Sequence, residues 1–181
     1  MIRLASIIQG VYPLMAETVL EVREISKSFS NVKVLDSVSL DVHAGEVHAL
    51  VGENGAGKST LMKILMGIYA PDSGQIRLNG KPVVFRTPSE AIHHGISMIH
   101  QELNPVLDME VAENIFIGRE ITNGRLGALN FVDFSAQRRE SAQIFDNLGI
   151  QIDPRTRMRD LGVAQQQLVE IAKAISVSAK V

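Results

Sequence analysis

The residues from Gly52 to Ser59 combine glycines, a lysine and a hydroxyl group at a spacing that suits phosphate binding. The pattern G-x-x-x-x-G-K-[ST] is matched in full by Gly52, Glu53, Asn54, Gly55, Ala56, Gly57, Lys58 and Ser59, and Thr60 follows. The glycines let successive backbone N–H groups point at phosphate oxygens. The lysine neutralises charge on the β- and γ-phosphates, and the serine hydroxyl holds Mg²⁺. This motif predicts a nucleotide site that uses Mg²⁺, in preference to a glycine turn beside an exposed lysine.

The segments on either side of the motif are those that such a loop requires. Residues 46–52 form a nearly continuous apolar run, which predicts a strand buried on both faces. The helix after the loop is expected to end at Gly67 and Pro71. Its apolar face is made by Leu61, Ile64, Leu65 and Ile68. A buried strand, a glycine loop and an amphipathic helix in this order are the context in which the motif binds phosphate.

Composition narrows the class of protein. The 181 residues are 45% hydrophobic and 21% charged, which suits one folded domain or a domain plus a part. The sequence has no cysteine, which excludes cysteine zinc sites and thiol nucleophiles. A net charge of −2 argues against binding nucleic acid or an anionic membrane through bulk charge. No apolar run reaches the roughly 18 residues that a transmembrane helix needs.

The first half of the chain is predicted to consist mainly of strands. Period-2 alternation makes the second of these strands half-exposed and antiparallel, and an Asn79-Gly80 pair is typical of a tight hairpin turn. The expected elements are a strand at 18–25, a polar turn at 26–31, a strand at 34–42, a hairpin at 75–85, a short helix at 88–95 and a buried strand at 96–100. His93 and His94 are adjacent on that short helix, so we expect a solvated helix face there rather than a metal site.

The second half is predicted to be mainly helical. Helical patterns cover 111–118, 135–149 and 165–175, with a loop-rich, glycine-containing insert at 118–134. In the last helix the apolar residues at 168, 171, 172 and 175 lie on one helix face. Residues 1–17 are expected to be a flexible extension, with a secretory signal peptide as the alternative. Met15 is an alternative start residue.

With the phosphate loop in place, the segments around it resemble the nucleotide-binding domain of ABC transporters. The resemblance is carried by Ser-Lys-Ser-Phe at 26–29, His-Gln-Glu at 100–102 and the glutamine-rich helix, and it runs from about Val19 to Val181. It is nearest to the ATP-binding subunits of carbohydrate importers of the ribose, galactose and xylose type. It implies an α/β P-loop NTPase fold over 18–181, with an antiparallel β subdomain, a core parallel sheet and a helical subdomain at about 102–165.

The resemblance also implies roles for single residues. Phe29 would stack on adenine, and Gln101 would coordinate Mg²⁺ and sense the transmembrane partner. The family's signature segment, which contacts ATP held by the opposite domain of a head-to-tail dimer, corresponds to Leu161, Gly162, Val163, Ala164 and Gln165. Gly162 departs from the family's serine, which removes a hydroxyl from phosphate contact and from helix capping.

Two parts of the family pattern are missing from the 181 residues. No apolar run ends in Asp-Glu, and every histidine precedes the signature segment, so the Mg²⁺-binding Asp, the catalytic Glu and the switch histidine are absent. In the family this Asp-Glu pair ends the Walker B strand. We therefore expect a chain truncated before the Walker B strand, with nucleotide binding that is weak or absent and with negligible ATP turnover.

The resemblance implies partners and a location for the full-length protein. These are transmembrane permease subunits, a second nucleotide-binding domain in tandem and, indirectly, a periplasmic sugar-binding protein, with no nucleic acid. The protein would lie peripherally at the cytoplasmic face of the inner membrane and couple ATP hydrolysis to sugar transport. Two alternatives stay open: a soluble ABC-type ATPase of DNA repair or translation, and a non-catalytic nucleotide-binding module.

Overall fold

The structure, a computed structural model, describes residues 17–99, 104–126, 129–177 and 179–181. The described residues divide into two compact units. Unit 1 holds the residues up to Ile96 together with Lys180–Val181, and unit 2 holds those between Ser97 and Ala179. The predicted extension lies outside the described residues except for Glu17, and Gln101 lies outside them too. The predicted helical subdomain falls within the limits of unit 2.

Unit 1 contains a four-stranded antiparallel sheet with strand order β2-β1-β3-β4. Its strands are β1 (Thr18–Phe29), β2 (Val32–His43), β3 (Ser73–Leu78) and β4 (Lys81–Val83). β1 lies between β2 and β3 and buries Leu20, Val22 and Ile25 almost completely. The predicted strands at 18–25 and 34–42 are therefore confirmed.

Both tight turns of this sheet lie at residues with left-handed backbone angles. Asn79 and Gly80 have φ of +50° and +72°, which confirms the hairpin predicted through this pair. The polar turn predicted at 26–31 is wrong in extent, because β1 continues to Phe29. Only Ser30 and Asn31 turn, with φ of +46° and +66°, since the β1–β2 ladder keeps pairing up to the Phe29–Val32 pair.

Two helices complete the regular elements of unit 1. α1 (Lys58–Leu65) follows the glycine loop, and α2 (Pro88–His93) begins with a proline after Thr87, whose hydroxyl accepts from Glu90 N at 3.3 Å. Both confirm the predicted helices. Leu61, Ile64 and Leu65 are buried as predicted, whereas Ile68 is exposed because α1 ends before it.

The segments 46–52 and 96–100, predicted as buried strands, are not assigned as strands over their described residues, although Val51 forms a single β-bridge. Burial alternates along the first of them: Val47 and Val51 are 83% and 57% exposed, while His48 and Leu50 are partly buried. Both sheets that the structure describes are antiparallel, so the predicted core parallel sheet is not present there.

Unit 2 packs three helices around one hydrophobic core. They are α3 (Val111–Phe116), α4 (Phe134–Leu148) and α5 (Val163–Ile175), and a short 3₁₀ turn (Met158–Asp160) precedes α5. The core side chains are Val111, Ile115, Phe116, Phe145, Met158, Val169 and Ala172. All three helical patterns predicted for the second half are confirmed.

The insert predicted as loop-rich contains a β-hairpin, so that prediction is wrong. Strands β5 (Thr122–Leu126) and β6 (Leu129–Val132) pair antiparallel, with Thr122 opposite Val132 and Asn123 opposite Phe131. The glycine content of the insert suggested a loop. Cross-strand pairing of β-branched and aromatic residues outweighs that signal here.

Of the apolar face predicted for α5, only Ala172 is fully buried. Val169 and Ala172 are fully buried, whereas Leu168, Ile171 and Ile175 are 37%, 37% and 47% exposed. Helical periodicity finds an apolar stripe but does not say which side of it faces the core, and packing against α3 and Phe145 selects the side with Val169.

Candidate nucleotide-binding site

The glycine loop between residue 52 and α1 is shaped by two left-handed glycines. Gly55 and Gly57 have φ of +87° and +84°, a conformation that side chains disfavour. A Cβ on Gly57 would stand 2.6 Å from Leu35 Cδ2 and 2.9 Å from the Val34 carbonyl oxygen. Gly57 therefore serves both the turn and the close approach of the loop to β2.

The entry to the loop is fixed by a buried carboxylate. Glu46 accepts a hydrogen bond from His43 N at 2.7 Å, and its second oxygen lies 3.0 Å from His48 Nδ1. The backbone N–H of His43, and after it the His48 ring, lower the pKa of Glu46. These bonds hold residues 43–48 in place just before the glycine loop.

Lys58 folds back over the loop. Its Nζ donates to the carbonyl oxygens of Gly52, at 2.6 Å, and Glu53, at 2.8 Å. Ala56 N closes the turn below by donating to Glu53 O at 3.1 Å. The ammonium group is thus held at the mouth of the glycine turn, where phosphate oxygens would compete with two neutral carbonyls for it.

The first turn of α1 is suited to an anion. Among the described residues no side chain caps this helix, and its first turn, Lys58, Ser59 and Thr60, carries no acidic residue. The first intrahelical bond runs from Leu61 N to Gly57 O, at 2.9 Å. The free N–H groups and the positive end of the helix dipole therefore face the glycine loop. With Lys58 beside them, these groups fit a triphosphate, and the Ser59 hydroxyl could hold Mg²⁺.

Phe29 closes β1 and is 38% exposed. Its ring meets the ring of Tyr69 at a centroid distance of 5.1 Å and an interplanar angle of 68°. The Lys27 ammonium lies 5.5 Å from the Phe29 centroid. Phe29 is thus a supported aromatic surface side chain rather than a core residue, and sequence reasoning missed its support by Tyr69.

The signature segment opens α5, as the sequence predicts. Gly162 is the N-cap residue, with extended angles of φ −67° and ψ 159°, and its N–H donates to Gln165 Oε1 at 3.2 Å. Leu161 packs against the unit 2 core, while Val163 is exposed. Gln166, which the sequence did not single out, donates through Nε2 to Met158 O and Leu161 O, both at 3.1 Å. This glutamine ties the segment to the preceding turn.

The described ranges hold no group of three or more His, Cys, Asp or Glu side chains placed to bind a metal ion. Within the same ranges, no helix is long and apolar enough to cross a membrane. The ring of His94 packs against that of Phe85, with ring centroids 5.4 Å apart.

Comparison with known proteins decides the family. The family model described as ABC transporter matches residues 35–181. The chain belongs to the ABC transporter family. It is 57% identical over 159 residues to the putative ribose/galactose/methyl galactoside import ATP-binding protein 1 of Rhizobium etli, covering 87% of this chain and 30% of that protein. It is 49% identical over 174 residues to the galactose/methyl galactoside import ATP-binding protein MglA of Escherichia coli, covering 96% of this chain and 33% of that protein.

Solved structures agree on the fold. The ADP conformation of an ATP-binding cassette of an ABC transporter superposes with a TM-score of 0.75 at 27% identity, over 90% of this chain and 66% of that one. A nucleotide-free ATP-binding cassette gives a TM-score of 0.71 at 26% identity, with the same coverage. The chain therefore has the α/β fold of the ABC ATPases. It spans about a third of the length of the curated relatives that it matches.

Proposed function

We propose that this chain carries an ATP site of a carbohydrate importer and couples ATP hydrolysis by the full-length protein to sugar transport. The observation that supports this most directly is the geometry of the phosphate loop. Two left-handed glycines, the ammonium of Lys58 and the uncapped start of α1 converge on one point. That convergence is suited to the phosphate groups of a nucleotide.

In this proposal the residues divide the work. Lys58 leaves the Gly52 and Glu53 carbonyls for phosphate oxygens, and the first N–H groups of α1 donate to the same phosphates. Ser59 and Gln101 hold Mg²⁺, which neutralises phosphate charge when bound. Phe29 stacks on the base. Residues 161–165 contact ATP bound by a second nucleotide-binding domain in a head-to-tail dimer.

The relatives named above are import ATP-binding proteins for ribose, galactose and methyl galactoside. In this proposal the full-length protein lies peripherally at the cytoplasmic face of the membrane, beside transmembrane permease subunits. A periplasmic sugar-binding protein would deliver the sugar to the permease. In this proposal those two proteins, and not this chain, select the sugar.

The proposal is tested by removing the Lys58 ammonium. Lys58→Ala should abolish binding of Mg-ATP, measured calorimetrically with the full-length protein, because the β- and γ-phosphates lose their neutralising charge. Circular dichroism should show an unchanged fold. Lys81→Ala, which removes an exposed lysine on β4, is the matched control and should bind like the wild type. Equal ATP affinity in the Lys58→Ala and Lys81→Ala variants would overturn the assignment.

A further inference from the structure

The Phe29–Tyr69 pair joins two segments that are 40 residues apart in sequence. Phe29 ends β1, while Tyr69 lies in the connection between α1 and β3. Their edge-to-face geometry, with centroids at 5.1 Å, lies within the range that aromatic pairs prefer. Phe29 is the last residue of β1 and lies directly before the Ser30–Asn31 turn.

Tyr69 is itself anchored to the end of α1. Its backbone N–H and that of Ile68 both donate to the Lys63 carbonyl, at 3.3 and 2.8 Å. The Lys63 ammonium lies 5.6 Å from the Tyr69 ring centroid. The position of the Tyr69 ring is therefore set by the same helix whose first turn adjoins the phosphate loop.

Asp72 fixes the part of β1 that directly precedes Phe29. Its carboxylate accepts from Lys27 Nζ and from Ser28 N, both at 2.7 Å, and its own N–H donates to Ser26 O at 2.9 Å. These three bonds cover the three residues before Phe29. Lys27, held in this way, places its ammonium over the Phe29 ring.

We propose that Tyr69 and Asp72 are positioning residues that orient Phe29 as the stacking surface for the nucleotide base. This inference rests on the proposed function, in which Phe29 meets the base. α1 has eight residues and so spans about 12 Å, and it connects the phosphate loop at its start to the Tyr69 support at its end. The phosphate and base contacts are thereby held in a fixed relation before the nucleotide arrives.

If Tyr69 holds the Phe29 ring ready for the base, its removal should lower the affinity only of ligands that have a base. Without Tyr69, the Phe29 ring gains rotamers that binding must freeze out, and this weakens any ligand that stacks on it. Every base offers a flat π face, so ATP and GTP should lose affinity alike. Tripolyphosphate has no base and should bind unchanged.

The test compares Tyr69→Ala with Tyr69→Phe. Calorimetry with Mg-ATP should show affinity lower by roughly 2- to 10-fold in Tyr69→Ala, as expected for one aromatic pair. Tyr69→Phe keeps the ring and should restore wild-type affinity. His94→Ala removes another edge-to-face pair, with Phe85, and is the matched control that should leave ATP affinity unchanged. Affinity for magnesium tripolyphosphate should be the same in all four proteins.

A second readout does not depend on nucleotide binding. The NMR shifts of a labelled Phe29 ring should move in Tyr69→Ala, remain close to wild type in Tyr69→Phe and not change in His94→Ala. If the wild type binds ATP but Tyr69→Ala leaves the ATP-to-tripolyphosphate affinity ratio unchanged, the positioning role is wrong. If the full-length wild-type protein does not bind Mg-ATP, the proposed function fails and the positioning role falls with it, whatever the ring shifts show.

Discussion

Gly57 lies so close to Leu35 that a Cβ on the glycine would stand 2.6 Å from the leucine Cδ2. This contact ties the phosphate loop to β2, so a side chain is less tolerable at Gly57 than at Gly55. Gly55 shares the left-handed φ, yet among the described atoms a Cβ there would meet nothing within 4 Å. A side chain at Gly55 would therefore cost backbone strain alone, whereas one at Gly57 would cost backbone strain and steric overlap.

Alanine at each glycine should give different losses of stability. Gly55→Ala should lower the free energy of unfolding by about 1–2 kcal/mol, the cost of a side chain in the left-handed region. Gly57→Ala should lose about 1–3 kcal/mol more, because the Leu35 side chain and the Val34 carbonyl must move as well. Urea unfolding of both variants measures the difference. Equal losses would show that the loop does not press on β2.

The Asp72 contacts predict a dependence of stability on pH. Hydrogen bonding to Lys27, and after it the Ser28 N–H, lowers the pKa of Asp72 below its ordinary value. A carboxyl whose pKa is depressed in the folded state stabilises the fold above its unfolded pKa of about 3.9, and this stabilisation is lost as the pH falls through the folded pKa.

Asp72→Asn should therefore be less stable than the wild type at neutral pH, and the gap should close in strongly acidic solution. Thermal unfolding followed from neutral to acidic pH checks this sign. Asp36→Asn removes another exposed Lys–Asp pair, with Lys33, and is the matched control for loss of a surface ion pair. A gap that stays constant down to low pH would contradict a role for the Asp72 charge.

Local signals predicted most of the antiparallel sheet and every helix of the described residues. The Asn79-Gly80 turn and the proline at the start of α2 act over a few residues, so the sequence is sufficient to find them. The phosphate loop is also local, since its glycines, lysine and hydroxyl are consecutive. Contacts between distant segments could not be found in this way: the Tyr69 ring meets Phe29 although the two residues are 40 positions apart in sequence.

The incorrect predictions have the same physical origin. Residues 46–52 have the composition of a buried strand, but Val47 and Val51 are exposed, and a local pattern does not reveal what lies against each face. The apolar face of α5 differs from its buried side because the apolar stripe is wide and only packing chooses the buried side. This difference in α5 leads to a direct test.

Substitutions on the two sides of α5 should differ in cost. Val169→Ala should destabilise unit 2 by about 2 kcal/mol, because the valine is fully buried against the core of α3 and α4. Leu168→Ala, which removes more carbon from a partly exposed site, should cost under about 1 kcal/mol. Chemical denaturation compares the two. A larger loss for Leu168→Ala would restore the face predicted from periodicity.

Two helix-end glycines of unit 2 provide the last test. Gly162, at the start of α5, has extended angles that suit a serine N-cap, and a Cβ there would meet only Gln165 Oε1, at 4.0 Å. Gly149, at the end of α4, has φ of +66°, and among the described atoms a Cβ there would meet nothing within 4 Å. Space therefore does not distinguish the two positions, and only the backbone conformation does.

Serine should be accepted at one end and not at the other. Gly162→Ser should raise stability by a few tenths of a kcal/mol, since the hydroxyl can accept an N–H of the first turn of α5. Gly149→Ser should lower it by about 1–2 kcal/mol through left-handed strain. Thermal melts of both variants decide the matter. If Gly162→Ser were as destabilising as Gly149→Ser, the signature segment would not have the N-cap geometry described, and the missing family serine would have a structural cause.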